Sequence, residues 1–135
     1  MKAKGTYVVK KWEENAYEQI SSEMKMTKAS VEYSMSGDIN GKALVEYLMF
    51  YKYFDAKDQH KSSATYIGLM RFVGIIHGKE GSFVMEDRGT FENGKASSTL
   101  QIISGSGIGE LQNFQGTGRY IANQDGFQIE LDYNL

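Results

Sequence analysis

Apolar and polar residues alternate along most of this chain, which is the pattern of a strand with one buried face. Every second position is apolar in residues 29–35 (ASVEYSM) and in residues 127–135 (FQIELDYNL). In residues 81–91, Phe83, Met85 and Phe91 share one side, whereas Glu86 and Arg88 occupy the other. The alternation therefore predicts half-buried strands over most of the chain.

Two segments, 43–54 and 64–76, are apolar on both parities. A helix is the rival interpretation, but their β-branched and aromatic content and the internal Gly68 and Gly74 disfavour it. We expect strands that are covered on both faces, and a subunit partner could supply the outer cover.

Tight turns are indicated by Asn40-Gly41, Asn93-Gly94 and Asp125-Gly126, because Asn, Asp and Gly accept positive φ at low cost. Residues 55–63 read as a polar loop, and residues 12–24 as a loop with one helical turn. Strands are predicted near residues 3–12, 24–37, 42–54, 63–77, 80–92, 95–104, 115–122 and 126–134. Sequential antiparallel strands with short turns predict an all-β fold, an eight-stranded antiparallel up-and-down barrel of the calycin-like kind, formed by one domain over residues 1–135.

Glycines are concentrated in residues 104–120 (SGSGIGELQNFQGTGRY), although the chain has no proline. Their positions predict a sharp bend or a close backbone approach. The spacing G-x-G-x-G, with no helix pattern behind it, disfavours a nucleotide-binding loop. The absence of proline agrees with a chain that is mostly paired strand.

Composition excludes several classes of function. The formal net charge of −2 argues against a nucleic-acid or anionic-membrane partner. The chain has no cysteine, which removes disulfides and thiol catalysis, and no apolar run is long enough to span a bilayer. His60 and His77 lack a second histidine at metal-ligand spacing, so we expect no metal and no cofactor, in a cytoplasmic protein.

Two carboxylates among apolar neighbours are candidate catalytic groups. Glu46 lies in ALVEYLMF, and Asp87 shares the parity of Phe83 and Met85. Burial would raise the pKa of either group and suit it to acid–base chemistry. Arg71, in GLMRFVG, is a natural partner for a buried carboxylate, so a Glu46–Arg71 pair across adjacent strands is a second interpretation, either structural or anion-binding.

Other side chains are candidates for ligand contact. Tyr47, Tyr51 and Tyr66 would offer hydroxyls within an apolar lining, and Met85 would add an adaptable apolar wall. Glu110 follows the glycine run, where a ligand could approach it closely. Each of these residues also has a plain structural interpretation, as core packing or a solvated carboxylate.

Several segments together resemble a family of small bacterial proteins of unknown function that is related in fold to plant allene oxide cyclase. They are GTY (5–7), Trp12, SGDINGKALVEYLM (36–49), YIGLMRFVG (66–74), GSFVMEDRGTF (81–91) and SGSGIGEL (104–111). The resemblance spans nearly the whole chain. It implies an eight-stranded antiparallel barrel and a homo-oligomer, a dimer or trimer, but no known activity.

The leading functional hypothesis is a barrel that binds a small apolar or lipid-like molecule in its interior. The alternatives are a cofactor-free isomerase or cyclase acting on a lipid-like substrate, and a filled barrel that acts only through its outer surface.

Overall fold

The computed structural model describes residues 1–123 and 126–134. Residues 124–125 and Leu135 lie outside the described residues, and with them the predicted turn at Asp125. Nine strands are described: β1 (Lys2–Gln19), β2 (Lys25–Gly37), β3 (Ile39–Tyr53), β4 (Ser63–Ile76), β5 (Lys79–Glu92), β6 (Lys95–Ile102), β7 (Ile108–Gly109), β8 (Gln115–Asn123) and β9 (Gly126–Asn134). The only helix described, the 3-10 turn Gln59–Lys61, has three residues, so no described helix could span a bilayer.

Eight of these strands form one antiparallel sheet that closes into a ring, which we call the barrel. The order around the ring is β1-β2-β3-β4-β5-β6-β8-β9, and β9 pairs again with β1. The short β7 adds a two-residue pairing to β5. The predicted all-β, up-and-down arrangement of eight strands is confirmed, and most strand bounds agree within two residues.

The segment after Trp12 departs from the prediction of a loop with a helical turn. β1 continues to Gln19 and pairs with β2 along its length, with β-bulges after Val9 and after Ala16. Each bulge adds one residue, so the in-and-out parity shifts and the alternation is lost from the sequence. Residues 103–107 and 110–114 form turns and irregular backbone rather than a strand.

One end of the barrel is filled with packed apolar side chains. Leu111 and Phe114, from the segment that follows β6, are fully buried there. Phe114 stacks on Phe83 and on Tyr133, with ring centroids 5.0 and 4.3 Å apart. This packing closes one end of the barrel and leaves the other end for a cavity.

The outer face of β3 and β4 is apolar, as their sequences predicted, but no part of the described chain covers it. The inward parity is buried, whereas Leu44, Leu48, Ile67 and Leu69 on the outward parity are 42–55% exposed. A cover from another subunit stays a prediction.

Candidate functional site

A cavity of about 300 Å³ occupies the end of the barrel opposite Phe114. Its wall is largely aromatic, with residues from β1–β6, β8, β9 and the loop after β3. The lining residues are Tyr7, Val9, Trp12, Glu14, Tyr33, Tyr47, Met49, Tyr51, Phe54, Gln59, Ser62, Tyr66, Phe91, Ala96, Tyr120, Ala122 and Phe127.

Four tyrosines of this wall, Tyr33, Tyr47, Tyr66 and Tyr120, form a hydrogen-bonded group that we call the tyrosine cluster. The Tyr47 hydroxyl lies 2.7 Å from the Tyr120 hydroxyl and 3.2 Å from the Tyr33 hydroxyl. The Tyr120 hydroxyl also lies 3.4 Å from the Tyr66 hydroxyl, which is 2.6 Å from Ser98 Oγ. The buried hydroxyls thereby satisfy one another.

Asp87 lies beneath the tyrosine cluster and is hydrogen-bonded to it. Its side chain is fully buried, and Tyr47 donates to Oδ2 at 2.7 Å. Burial raises the pKa of Asp87 to about 6, against the opposing effect of the hydrogen bond from Tyr47. Oδ1 has no hydrogen-bond partner, so the ionised form is under-solvated.

Burial also raises the pKa of each tyrosine in the cluster above its ordinary value. For Tyr47, the neighbouring Tyr33 and Asp87 add to this effect. The phenols are therefore neutral donors at physiological pH, and Asp87 is the group of this layer that titrates near neutrality.

A glycine makes room for the contact between Tyr47 and Asp87. Gly68 of β4 lies between them, paired with Tyr47 on one side and with Asp87 on the other. A Cβ on Gly68 would lie 2.8 Å from Tyr47 Cδ1 and 2.5 Å from the Glu46 carbonyl oxygen. The ring of Tyr47 can lean toward Asp87 because Gly68 has no side chain.

A second carboxylate, Glu14, belongs to the wall near the mouth. Thr27 Oγ1 and the Tyr51 hydroxyl donate to Oε2 at 2.7 and 2.8 Å, and Trp12 Nε1 donates to Oε1 at 3.0 Å. The bulge after Val9 turns Trp12 and Glu14 inward. Lys25 lies over the ring of Phe54, another lining residue, with Nζ 3.4 Å from the centroid.

Four of the sequence-predicted residues lie at or under the cavity. Tyr47, Tyr51 and Tyr66 line it, and Asp87 points inward as its parity indicated. Their roles in binding or catalysis remain predictions.

The other four lie elsewhere. Glu46 and Arg71 are exposed on the outer face, where Glu46 pairs with Leu69 and Arg71 with Leu44, and no ion pair joins these two described residues. Arg71 instead donates to Ser82 Oγ at 3.4 Å. The Glu46–Arg71 pair considered from the sequence is therefore not formed. Because both faces of β3 and β4 are apolar, the sequence does not identify which face is the inner one.

Met85 and Glu110 are also remote from the cavity. Met85 is 1% exposed and packs in the filled part of the barrel, so it does not line the cavity. Glu110 is exposed near the closed end, where its Oε1 accepts from the backbone N–H of Glu80 at 3.1 Å. The glycines before it serve turns and strand contacts, and they do not open a path to the cavity.

Sequence reasoning missed Tyr7, Trp12, Glu14, Tyr33 and Tyr120 as site residues. The parity of Tyr33 within residues 29–35 was a usable signal. Trp12 and Glu14 gave no such signal, because the bulges disrupt the pattern. Among the described residues, no three His, Cys, Asp or Glu side chains are grouped to hold a metal ion.

Comparison with known proteins finds a family and a solved structure that resemble this chain. A family model described as a protein of unknown function, DUF3224, matches residues 3–133. The crystal structure of a DUF3224 protein of unknown function from Shewanella oneidensis MR-1 is similar, with a TM-score of 0.79 and 23% identity over 100% of this chain and 97% of that one. At this identity the likeness shows the fold alone. No curated protein matches the chain.

Proposed function

The chain belongs to the DUF3224 family of proteins of unknown function, and we propose that this member binds a compact, mostly apolar molecule, neutral or positively charged, in the aromatic cavity. The observation that carries the proposal is the cavity itself: about 300 Å³, at the open end of a barrel whose other end is packed solid. Binding pockets are typically concave and apolar with a few placed polar groups.

The size of the cavity limits the ligand. An apolar cavity of about 150 Å³ holds one benzene molecule. A volume of about 300 Å³ is therefore suited to a compact molecule of two or three rings. A long acyl chain would have to project through the mouth.

The lining also favours one sign of charge. The described lining residues include no lysine, arginine or histidine, whereas Glu14 contributes a carboxylate and Asp87 lies beneath the tyrosine cluster. Aromatic faces attract cations through their quadrupole. An ammonium group is therefore favoured over a carboxylate, which argues against a free fatty acid.

The test uses three matched probes: 1-adamantylammonium, 1-adamantylmethanol and 1-adamantanecarboxylate. They share one apolar cage and do not absorb where tryptophan does, so the emission of Trp12, the single tryptophan, reports binding. We expect the ammonium to bind at least as tightly as the alcohol, and the carboxylate about tenfold more weakly than the ammonium.

A pair of variants locates the binding site. Ala96 lines the cavity, so Ala96→Phe fills it and should abolish binding. Thr99→Phe adds the same ring to an exposed position of β6 and should leave binding intact. Failure of all three probes to bind, or unchanged binding by Ala96→Phe, would overturn the proposal.

A second candidate function is acid–base catalysis on an apolar substrate. Neither the matching family model nor the similar crystal structure is described in terms of allene oxide cyclase. The pKa of about 6 for Asp87 favours acid–base catalysis. When Asp87 is protonated it can donate to Tyr47, which frees the Tyr47 proton for a carbonyl oxygen in the cavity, while a solvent water removes the α-proton and the enol forms; return of deuterium from D₂O completes the exchange. Exchange of the α-protons of 1-indanone in D₂O, followed by NMR, tests this: the wild type should accelerate exchange and Asp87→Asn should not. Equal rates for the two proteins and for buffer would exclude it.

A further inference from the structure

One edge of β1 has no strand partner beyond residue 6. β9 pairs with β1 only from Lys2 to Thr6, whereas β2 pairs with it from Gly5 to Gln19. Within residues 1–123 and 126–134, no strand pairs with the other edge of residues 7–19, although Phe127 of β9 stacks on Tyr7. Such an edge presents backbone N–H and C=O groups to any extended chain.

The charges along this edge invert about Trp12. Lys10 and Lys11 precede it, and Glu13 and Glu14 follow it. We propose that two copies of the chain associate by antiparallel pairing of β1 about a two-fold axis through Trp12, centred on residues 11–13, which lie between the two bulges. Lys11 of each copy then lies opposite Glu13 of the other on the outer face.

The charge pattern also selects this register over its neighbours. Directly opposed residues project from the same face, so a two-fold axis perpendicular to the sheet must pass through a residue. An axis through Glu13 places Glu13 opposite itself, and an axis through Lys11 places Lys11 opposite itself. Of these three axes, only the one through Trp12 places the outward-facing charges, Lys11 and Glu13, opposite unlike partners.

The groups that would pair between copies are accessible. Lys11 Nζ lies 3.3 Å from Glu13 Oε1 within one chain, and both side chains are more than 60% exposed. The two intrachain pairs, one in each copy, can exchange for two equivalent pairs between copies without desolvating a new charge. Lys11 and Glu13 face outward and are not lining residues, so their substitution leaves the cavity unaltered. An extended peptide of another protein could also pair with such an edge, but its binding would not require charges arranged symmetrically about Trp12.

The test is charge reversal followed by mixing. Wild-type protein should show a light-scattering mass twice the 15.2 kDa of the chain. Lys11→Glu and Glu13→Lys should each weaken self-association about tenfold or more, because like charges then face each other. The two variants mixed in equal amounts should associate, and the double variant K11E/E13K should dimerise as the wild type does. Far-ultraviolet circular dichroism confirms that each variant is folded.

A control separates this edge from the apolar outer face. Leu69→Lys places a charge on the exposed face of β4 and should leave the dimer intact. Monomeric wild type, dimers unaffected by both charge reversals, or dissociation caused by Leu69→Lys alone would overturn the proposal. Trp12 gives an independent readout on the wild type: its emission should change on dilution across the dissociation range, and constant emission during dissociation would place the interface elsewhere.

Discussion

Tyr47 and Asp87 meet across Gly68, with the Tyr47 hydroxyl 2.7 Å from Asp87 Oδ2 and one strand between them. This contact joins the floor of an aromatic cavity to a fully buried carboxyl group. A buried carboxylate that receives one hydrogen bond destabilises the folded state. The stability of the fold alone therefore does not account for Asp87 at this position.

Asp87→Asn should stabilise the protein at alkaline pH. The pKa of Asp87 is raised from 3.8 to about 6 on folding, so the folded state binds the proton more tightly and stability falls as pH rises between these values. A shift of two pKa units lowers the free energy of unfolding by about 3 kcal/mol once Asp87 is ionised, and the neutral amide of the variant avoids this loss. Denaturant unfolding should therefore show the variant more stable at pH 8 by up to about this amount. The two proteins should converge near pH 4, and a constant difference across this range would contradict the raised pKa.

Tyr47→Phe should destabilise the protein at pH 8, in contrast to Asp87→Asn. It removes the hydrogen bond to Oδ2 and leaves both carboxylate oxygens of Asp87 without a partner. We expect a loss of about 2–3 kcal/mol in the free energy of unfolding at pH 8, a smaller loss at pH 4, and a higher pKa for Asp87. Tyr17→Phe, at a position 55% exposed, is the matched control and should have little effect. A loss independent of pH would indicate a packing defect instead.

The fold could be predicted from the sequence because alternation and turn residues are local signals. Most strands, the turn at Asn93-Gly94 and the inward direction of Asp87 follow from local sequence signals. The turn predicted at Asn40-Gly41 is wrong, because the chain reverses at Asp38 and residues 40–41 pair within β3. The failures have local causes as well. Bulges in β1 shift parity, so the second half of that strand was taken for a loop.

The site could be predicted only in part, because it depends on which strands become neighbours. Tyr47 and Tyr66 were identified, but Tyr120 joins them through pairing around the ring that no local pattern encodes. The direction of Glu46 and Arg71 could not be predicted, because β3 and β4 are apolar on both faces. The inner face of such strands is fixed by the whole ring, which buries Tyr47 and leaves Glu46 exposed.

Gly68→Ala should disturb the contact between Tyr47 and Asp87 without changing its chemistry. The added Cβ would lie 2.8 Å from Tyr47 Cδ1 and 2.5 Å from a backbone oxygen, so the ring must move. We expect a destabilisation of about 1–3 kcal/mol and weaker binding of 1-adamantylmethanol. Thr65→Ala, exposed on the same strand, should stay within about 0.5 kcal/mol of the wild type. A fully stable Gly68→Ala variant would show that the Tyr47 ring can move freely.

Glu14→Gln should change the charge preference of the cavity and little else. Glu14 accepts hydrogen bonds from Thr27, Tyr51 and Trp12, and it is the carboxylate of the lining. The amide retains the shape but loses the charge, so calorimetry should show about a tenfold loss of affinity for 1-adamantylammonium and little change for 1-adamantylmethanol. Glu18→Gln, exposed on the outer side of β1, is the matched control and should leave both affinities unchanged. An equal loss for the charged and the neutral probe would mean that Glu14 only supports the wall, and the preference for a cation would then lose its basis.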